Sequence, residues 1–132
     1  MPKTILFVCQ GNSIRSIMAE AAFNRFCRKD YTAKSAGTLP IRHIDEKAKK
    51  VLQEAGIPLK KKEPTPLTYE GIVSAKKVIL MNSALPNFPS QVPNHLLKRW
   101  DIPEVVGKPI EEYRKARDMI IQKVKELIRK LE

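Results

Sequence analysis

The segment TILFVCQGNSIRSIMAEAAFNRF, residues 4–26, changes its hydrophobic period within a few residues, and that change restricts the fold more than any other feature. Thr4 to Val8 form a short apolar run rich in β-branched residues, the pattern of a buried strand. From Ile14, apolar residues recur at three- and four-residue steps through Met18, Ala21, Ala22 and Phe26, the spacing of an amphipathic helix. The Gly, Asn and Ser between them tolerate unusual backbone angles. The unit reads strand, loop, helix, with Cys9 where the loop opens and Arg15 where it closes.

The alternation repeats more faintly downstream. YTAKSAGT holds a short strand ending at Ser35 to Thr38, and Ile44, Ala48, Val51, Leu52 and Ala55 form a helical stripe stopped by Gly56. A basic, proline-broken loop, LKKKEPTPLT, leads to Thr68, which caps a short helix through Ser74, although Gly71 weakens that helix. KKVILMN reads as another strand ending near Met81, NSALPNFPSQVPN as a turn-rich surface segment, and HLLKRWDIP as a last strand stopping before Asp101. From Pro109, residues Tyr113, Ala116, Ile120, Val124, Leu127, Ile128 and Leu131 share one helical face, with Glu111 and Glu112 at its positive end. Strands alternating with helices predict an α/β fold around a mainly parallel sheet, in a single domain over residues 1–132.

Composition narrows the function classes. No apolar run approaches the ~20 residues of a membrane helix, and Thr4 to Cys9 is too short for a secretory signal. With only Cys9 and Cys27, a disulfide scaffold is not expected and a reducing cytoplasm is the default. His43 and His95 stand alone, without the spacing of a metal site. The 25 Lys and Arg against 14 Asp and Glu give a net charge of +11, which favours anionic partners. The basic residues are not interleaved with aromatics, so nucleic acid is not the expected partner, and neither is a membrane. A monomer acting on its own is the expectation.

In a parallel sheet, function gathers beyond the carboxyl ends of the strands, where CQGNSIR lies. A tight loop before a helix turns backbone N–H groups inward and adds the helix's partial positive charge, so Gln10, Gly11, Asn12, Ser13, Ile14 and Arg15 form a candidate phosphate cradle. Arg15 supplies a bidentate fork for two phosphate oxygens. The same field favours an ionised sulfur at Cys9, which can then act as a nucleophile in phosphoryl transfer. An isolated cysteine is commonly just a buried apolar residue. The position of Cys9 between strand and helix, with Gly11, Asn12 and Ser16 around it, favours the active role.

VCQGNSIRSIMAEAAF resembles the signature of the low-molecular-weight protein tyrosine phosphatases, which share their fold with thioredoxin-coupled arsenate reductases. The resemblance continues through SAGT (Ser35 to Thr38), VLQEAGIPL, LT...VILM and WDIPEVVGKPIEEYRKARDMI, in order along nearly the whole chain. It implies a three-layer architecture, a four-stranded parallel sheet flanked by helices, and an enzyme without metal or organic cofactor. It implies that Cys9 takes the phosphoryl group as a phosphocysteine, that Arg15 clamps it, and that Ser16 stabilises the thiolate. Asn12 matches a loop-bracing asparagine and Ser35 a serine of the supporting network. Substrates would be phosphorylated proteins or small aryl phosphates, with oxyanions such as phosphate as ligands.

The sequence departs from the family pattern where the general acid is expected. An Asp-Pro pair usually follows the tryptophan segment; counting from Trp100, the position falls on Glu104, followed by Val105. Glu104 can do the same chemistry with its carboxyl moved by about one bond length, and a shift of ~1 Å can cost around a hundredfold in rate. Asp101 is the second candidate, three residues early. Val105 and Val106 fall where aromatic residues commonly grip a phosphotyrosine ring, facing a wall from Leu39 to His43. Ile14 replaces a cysteine often found beside the arginine, and Ile17 a common proline. Arsenate reductase is the main alternative, but the paired relay cysteines are missing from MNSALPNFPSQVPNHLLKRW, so an external thiol would have to serve. Cys27 is expected in the core. A low-turnover phosphate-binding regulatory protein is the other alternative.

Overall fold

The computed structural model describes residues 2–82, 88, 92–93 and 96–131. In chain order the elements are β1 (Lys3–Cys9), α1 (Arg15–Phe26), β2 (Tyr31–Gly37), α2 (Glu46–Glu54), α3 (Tyr69–Val73), β3 (Lys77–Leu80), β4 (Leu97–Arg99) and α4 (Ile110–Lys130). The four strands form one sheet in the order β2-β1-β3-β4, and every pairing is parallel. From β1 the chain passes first to β2 on one side and later to β3 on the other. The carboxyl end of β1 is therefore the switch point, where a crevice opens.

β1 is central, which explains its unbroken apolar run. Ile5, Phe7 and Cys9 face a large core built with α1, α2 and α4, whereas Leu6 and Val8 face a smaller one with Ile72 of α3 and Val78 and Leu80 of β3. Helices on both faces of the sheet make three layers. Phe7 packs its ring against Phe23 of α1 at 6.2 Å and Trp100 beyond β4 at 5.5 Å.

The elements follow the sequence with informative differences. β2 fills the YTAKSAGT stretch from Tyr31 and ends at Gly37, inside the expected range, because residues 31–37 pair in register with all of β1. α1 is buried well beyond a stripe, with Ile17, Ala19 and Phe23 enclosed as well as Met18, since the sheet and α4 cover it on two sides. Ala55 lies exposed at the end of α2, outside the expected apolar face, while Gly56 takes the left-handed φ of 70° that ends the helix. Thr68 caps α3 by accepting from the Gly71 amide at 3.0 Å. Cys27 sits at the end of α1, half-buried against the large core rather than within it. Most of the turn-rich segment before β4, and His95, lie outside the described residues. Among the described residues, no helix is long and apolar enough to cross a membrane.

Candidate active site

The loop from Cys9 to Arg15 is shaped from outside. The carbonyls of Cys9, Gln10, Gly11 and Ser13 accept from the amides of Thr38 (3.1 Å), Leu39 (2.9 Å), Ile41 (3.1 Å) and Asp45 (3.2 Å). A trans peptide plane points its N–H opposite to its C=O. Tethering these carbonyls outward therefore turns the amides of Gln10, Gly11, Asn12 and Ile14 the other way. The Asn12 amide reaches the Cys9 sulfur at 3.3 Å. α1 adds its own free donors: Ile14, at its cap position, makes no side-chain cap bond. The first turn thus presents unsatisfied amides to an anion.

Gly37, at the end of β2, permits this closeness. A Cβ there would sit 2.6 Å from the Gln10 carbonyl oxygen and 3.0 Å from the Asn12 amide nitrogen, both backbone atoms with nowhere to go. Sequence reading gave Gly37 no role of its own, since only the tertiary approach of β2 to the loop reveals one.

Within the loop, Cys9 Sγ lies 2.9 Å from Ser16 Oγ, and Asn12 Nδ2 donates to the same oxygen at 2.8 Å. Because Asn12 engages that oxygen as an acceptor, the Ser16 proton is free to point at the sulfur. Asn12 holds the left-handed φ of 52° and accepts the Thr65 amide on its Oδ1 at 2.8 Å. The proline-broken loop is thus a brace for the cradle. Ser35 does not join this network. Its hydroxyl donates to the Glu20 carboxylate, and its carbonyl accepts Lys61 Nζ at 3.1 Å. Burial raises the Glu20 pKa, partly offset by the Ser35 hydrogen bond and Lys61, while burial lowers that of Lys61.

Cys9, Gln10, Gly11, Ser13, Ile14 and Arg15 line a pocket of about 190 Å³, walled by Leu39, Ile41, Val106 and Glu104. Asn12 and Ser16 lie beneath it, fully buried. Arg15 is 4% exposed, donating to the Ile102 carbonyl at 3.2 Å and to Glu104 Oε2 at 3.1 Å. Glu104 is anchored by its own turn, its Oε1 accepting the amides of Val105 (2.9 Å) and Val106 (3.2 Å). Asp101 is exposed and lines no part of the pocket. Val105 departs from expectation: it is 2% exposed and packs into the core, leaving only Val106 on the rim. Facing it, Leu39 and Ile41 supply the wall, whereas His43 contributes only its backbone carbonyl, accepting Ser13 Oγ at 3.0 Å. Among the described residues, no group of three or more His, Cys, Asp or Glu side chains could hold a metal ion.

Known proteins of similar sequence and shape span several activities. An arsenate reductase of Staphylococcus aureus (strain Newman) is 32% identical over 119 residues, 89% of this chain and 90% of that protein. The low molecular weight protein tyrosine phosphatase of T. tengcongensis superposes with a TM-score of 0.87 at 29% identity, covering 98% of this chain and 99% of that one. The arginine phosphatase YwlE of Geobacillus stearothermophilus gives a TM-score of 0.83 at 32% identity, covering 98% and 92%. The sequence pattern of low molecular weight phosphotyrosine protein phosphatases matches residues 4–132, from β1 through α4, and the chain belongs to that family.

Proposed function

We propose that the chain is a cysteine-dependent phosphomonoester hydrolase of the protein tyrosine phosphatase type, working through a phosphocysteine. The observation that carries this reading is the convergence on one pocket of the Cys9 sulfur, the Arg15 guanidinium and the Glu104 carboxyl. The phosphoryl group sits in the cradle with its oxygens on loop amides and the Arg15 fork. The Cys9 thiolate attacks phosphorus in line. The P–S bond forms as the P–O bond to the leaving group breaks, and Glu104 gives its proton to the departing oxygen. Glu104 then takes a proton from water as the water oxygen attacks phosphorus. The P–S bond breaks, and phosphate leaves with the thiolate restored. Ser16 and the Asn12 amide stand within hydrogen-bond reach of the sulfur and hold it in place in both half-reactions. Pocket lining supports Glu104 over Asp101 as the acid, since only Glu104 lines the pocket. The aliphatic wall of Leu39, Ile41 and Val106 suits a flat aryl group without selecting phosphotyrosine.

Similarity to arsenate reductases supports a second reading, in which arsenate occupies the same cradle. Cys27 does not serve as its resolving thiol here. It closes a 12-residue helix that begins beside the loop, about 18 Å away at 1.5 Å per residue, far beyond disulfide reach. Reduction would therefore need a thiol from outside.

Steady-state hydrolysis of para-nitrophenyl phosphate, with and without chelator, tests the main reading. Turnover that survives chelator, is lost in Cys9→Ser and falls at least tenfold in Glu104→Gln but not in Asp101→Asn is the expected pattern. Wild-type protein that leaves the ester intact, yet reduces arsenate when supplied with a small thiol, would replace it with the second reading.

A further inference from the structure

The phosphate loop and the Glu104 turn come from opposite ends of the chain, yet a proton donor must stand within hydrogen-bond reach of the leaving oxygen. Their direct link is Arg15, which touches the Ile102 carbonyl and Glu104. That guanidinium is also the group a phosphate claims, so the link is contested when substrate binds.

A second connection lies outside the pocket, at the start of α2. The Asp45 amide donates to the Ser13 carbonyl of the phosphate loop at 3.2 Å. Its Oδ1 caps α2 on the amides of Lys47 (2.8 Å) and Ala48 (3.3 Å), while its Oδ2 accepts the Tyr113 hydroxyl of α4 at 2.8 Å. Two residues along, Lys47 Nζ donates to the Lys108 carbonyl at 2.8 Å and lies 5.5 Å over the Tyr113 ring. The Lys108 amide closes back on the Val105 carbonyl at 2.9 Å, across Gly107 with its φ of 75°. This is the turn whose amides hold Glu104. None of these contacts uses a group that phosphate would take.

We infer that Asp45 and Tyr113 form the joint that keeps the Glu104 turn in register with the phosphate loop, which makes Tyr113 a positioning residue for proton transfer. The inference rests on Glu104 being the acid. A buried tyrosine often finds a hydroxyl partner merely because burial demands one. What marks this pair is that the partner carboxylate belongs to the residue that also binds the loop. Burial first, and then the bond to Asp45, push the Tyr113 hydroxyl up to about 12, so it remains a donor at any working pH.

The test is a double-mutant cycle of Tyr113→Phe with Glu104→Gln, on para-nitrophenyl phosphate and on an unactivated alkyl phosphate. Tyr113→Phe is expected to lower kcat/KM, which reports only phosphoryl transfer to Cys9, about tenfold on the alkyl ester, with a much smaller change on the activated ester, whose leaving group needs little protonation. KM and inhibition by inorganic phosphate stay within about twofold, and the substitution adds no more than that in the Glu104→Gln background. Lys47→Met cuts the parallel tie at an exposed position and is expected to give a weaker form of the same pattern, which keeps the test open if Tyr113→Phe does not fold. Independent, multiplicative losses, or equal losses on both esters with a raised KM, would reduce Tyr113 to a core residue while leaving the phosphatase reading intact. A wild type without turnover on either ester would overturn the phosphatase reading itself, and the joint with it.

Discussion

Asn12 concentrates three demands in one residue: a left-handed backbone, a donor for Ser16 and an acceptor for the Thr65 amide. Asparagine tolerates positive φ better than most side chains, and its amide offers both hydrogen-bonding senses. Replacements separate these demands. Asn12→Gly relieves the backbone but loses both side-chain bonds; Asn12→Ala loses the bonds and adds about 1–2 kcal/mol of left-handed strain. Both variants are expected to weaken inhibition by inorganic phosphate roughly tenfold, because the cradle loses its brace, with Asn12→Ala melting lower than Asn12→Gly. Phosphate affinity in Asn12→Gly equal to wild type would mean that the side chain braces nothing. Ser35 shows how a residue can hold its place in a pattern while its contacts change. The sequence puts it in SAGT, but its hydroxyl has gone to Glu20 on α1.

That contact joins β2 to α1 alongside the bonds between Asn24 and the Ala33 backbone. Glu20 lies under the segment that carries Lys61, with the two charges 3.9 Å apart. Burial pushes the Glu20 carboxyl above its ordinary 4.5, a larger effect than the Ser35 hydrogen bond or Lys61 in the other direction. A raised carboxyl contributes stability that is full below about pH 4.5 and is lost as pH rises through the elevated value. The stability of wild type minus that of Glu20→Gln should therefore decline as pH rises above about 4.5, read from urea midpoints. A difference that grows with pH would mean that Ser35 and Lys61 outweigh burial. Several element boundaries were legible beforehand for local reasons: Thr68 caps α3, Gly56 ends α2, and the acidic first turn of α4 follows Pro109. β2 was legible too, as the strand in YTAKSAGT; its seven-residue register with β1 was not, because pairing depends on the neighbouring strand.

Over the whole molecule, the net charge is +11, and Arg15 and the loop amides line the candidate pocket. Solvent-exposed charges act over about 10 Å at 0.1 M salt and about 3 Å at 1 M. Inhibition by inorganic phosphate should therefore weaken several-fold from low to high salt, while the melting temperature, set mainly by the apolar core, moves little. Salt-independent inhibition would confine recognition to the Arg15 fork and the loop amides. The period switch between Val8 and Ile14 was enough to set strand, loop and helix, because hydrophobic spacing is a local property carried by consecutive side chains. Cys9 and Arg15 could be read as a candidate pair from the same stretch, since residues on one short loop are close by covalent connection. What lies far apart in sequence had to wait for the tertiary structure. The chain could not show that Glu104 rather than Asp101 reaches the pocket, that Val105 turns into the core, or that Gly37, Thr65 and Asp45 close around the loop. Those choices depend on how the sheet stacks its strands and where α2 and α4 pack on it, and no spacing along the chain encodes a distance across it.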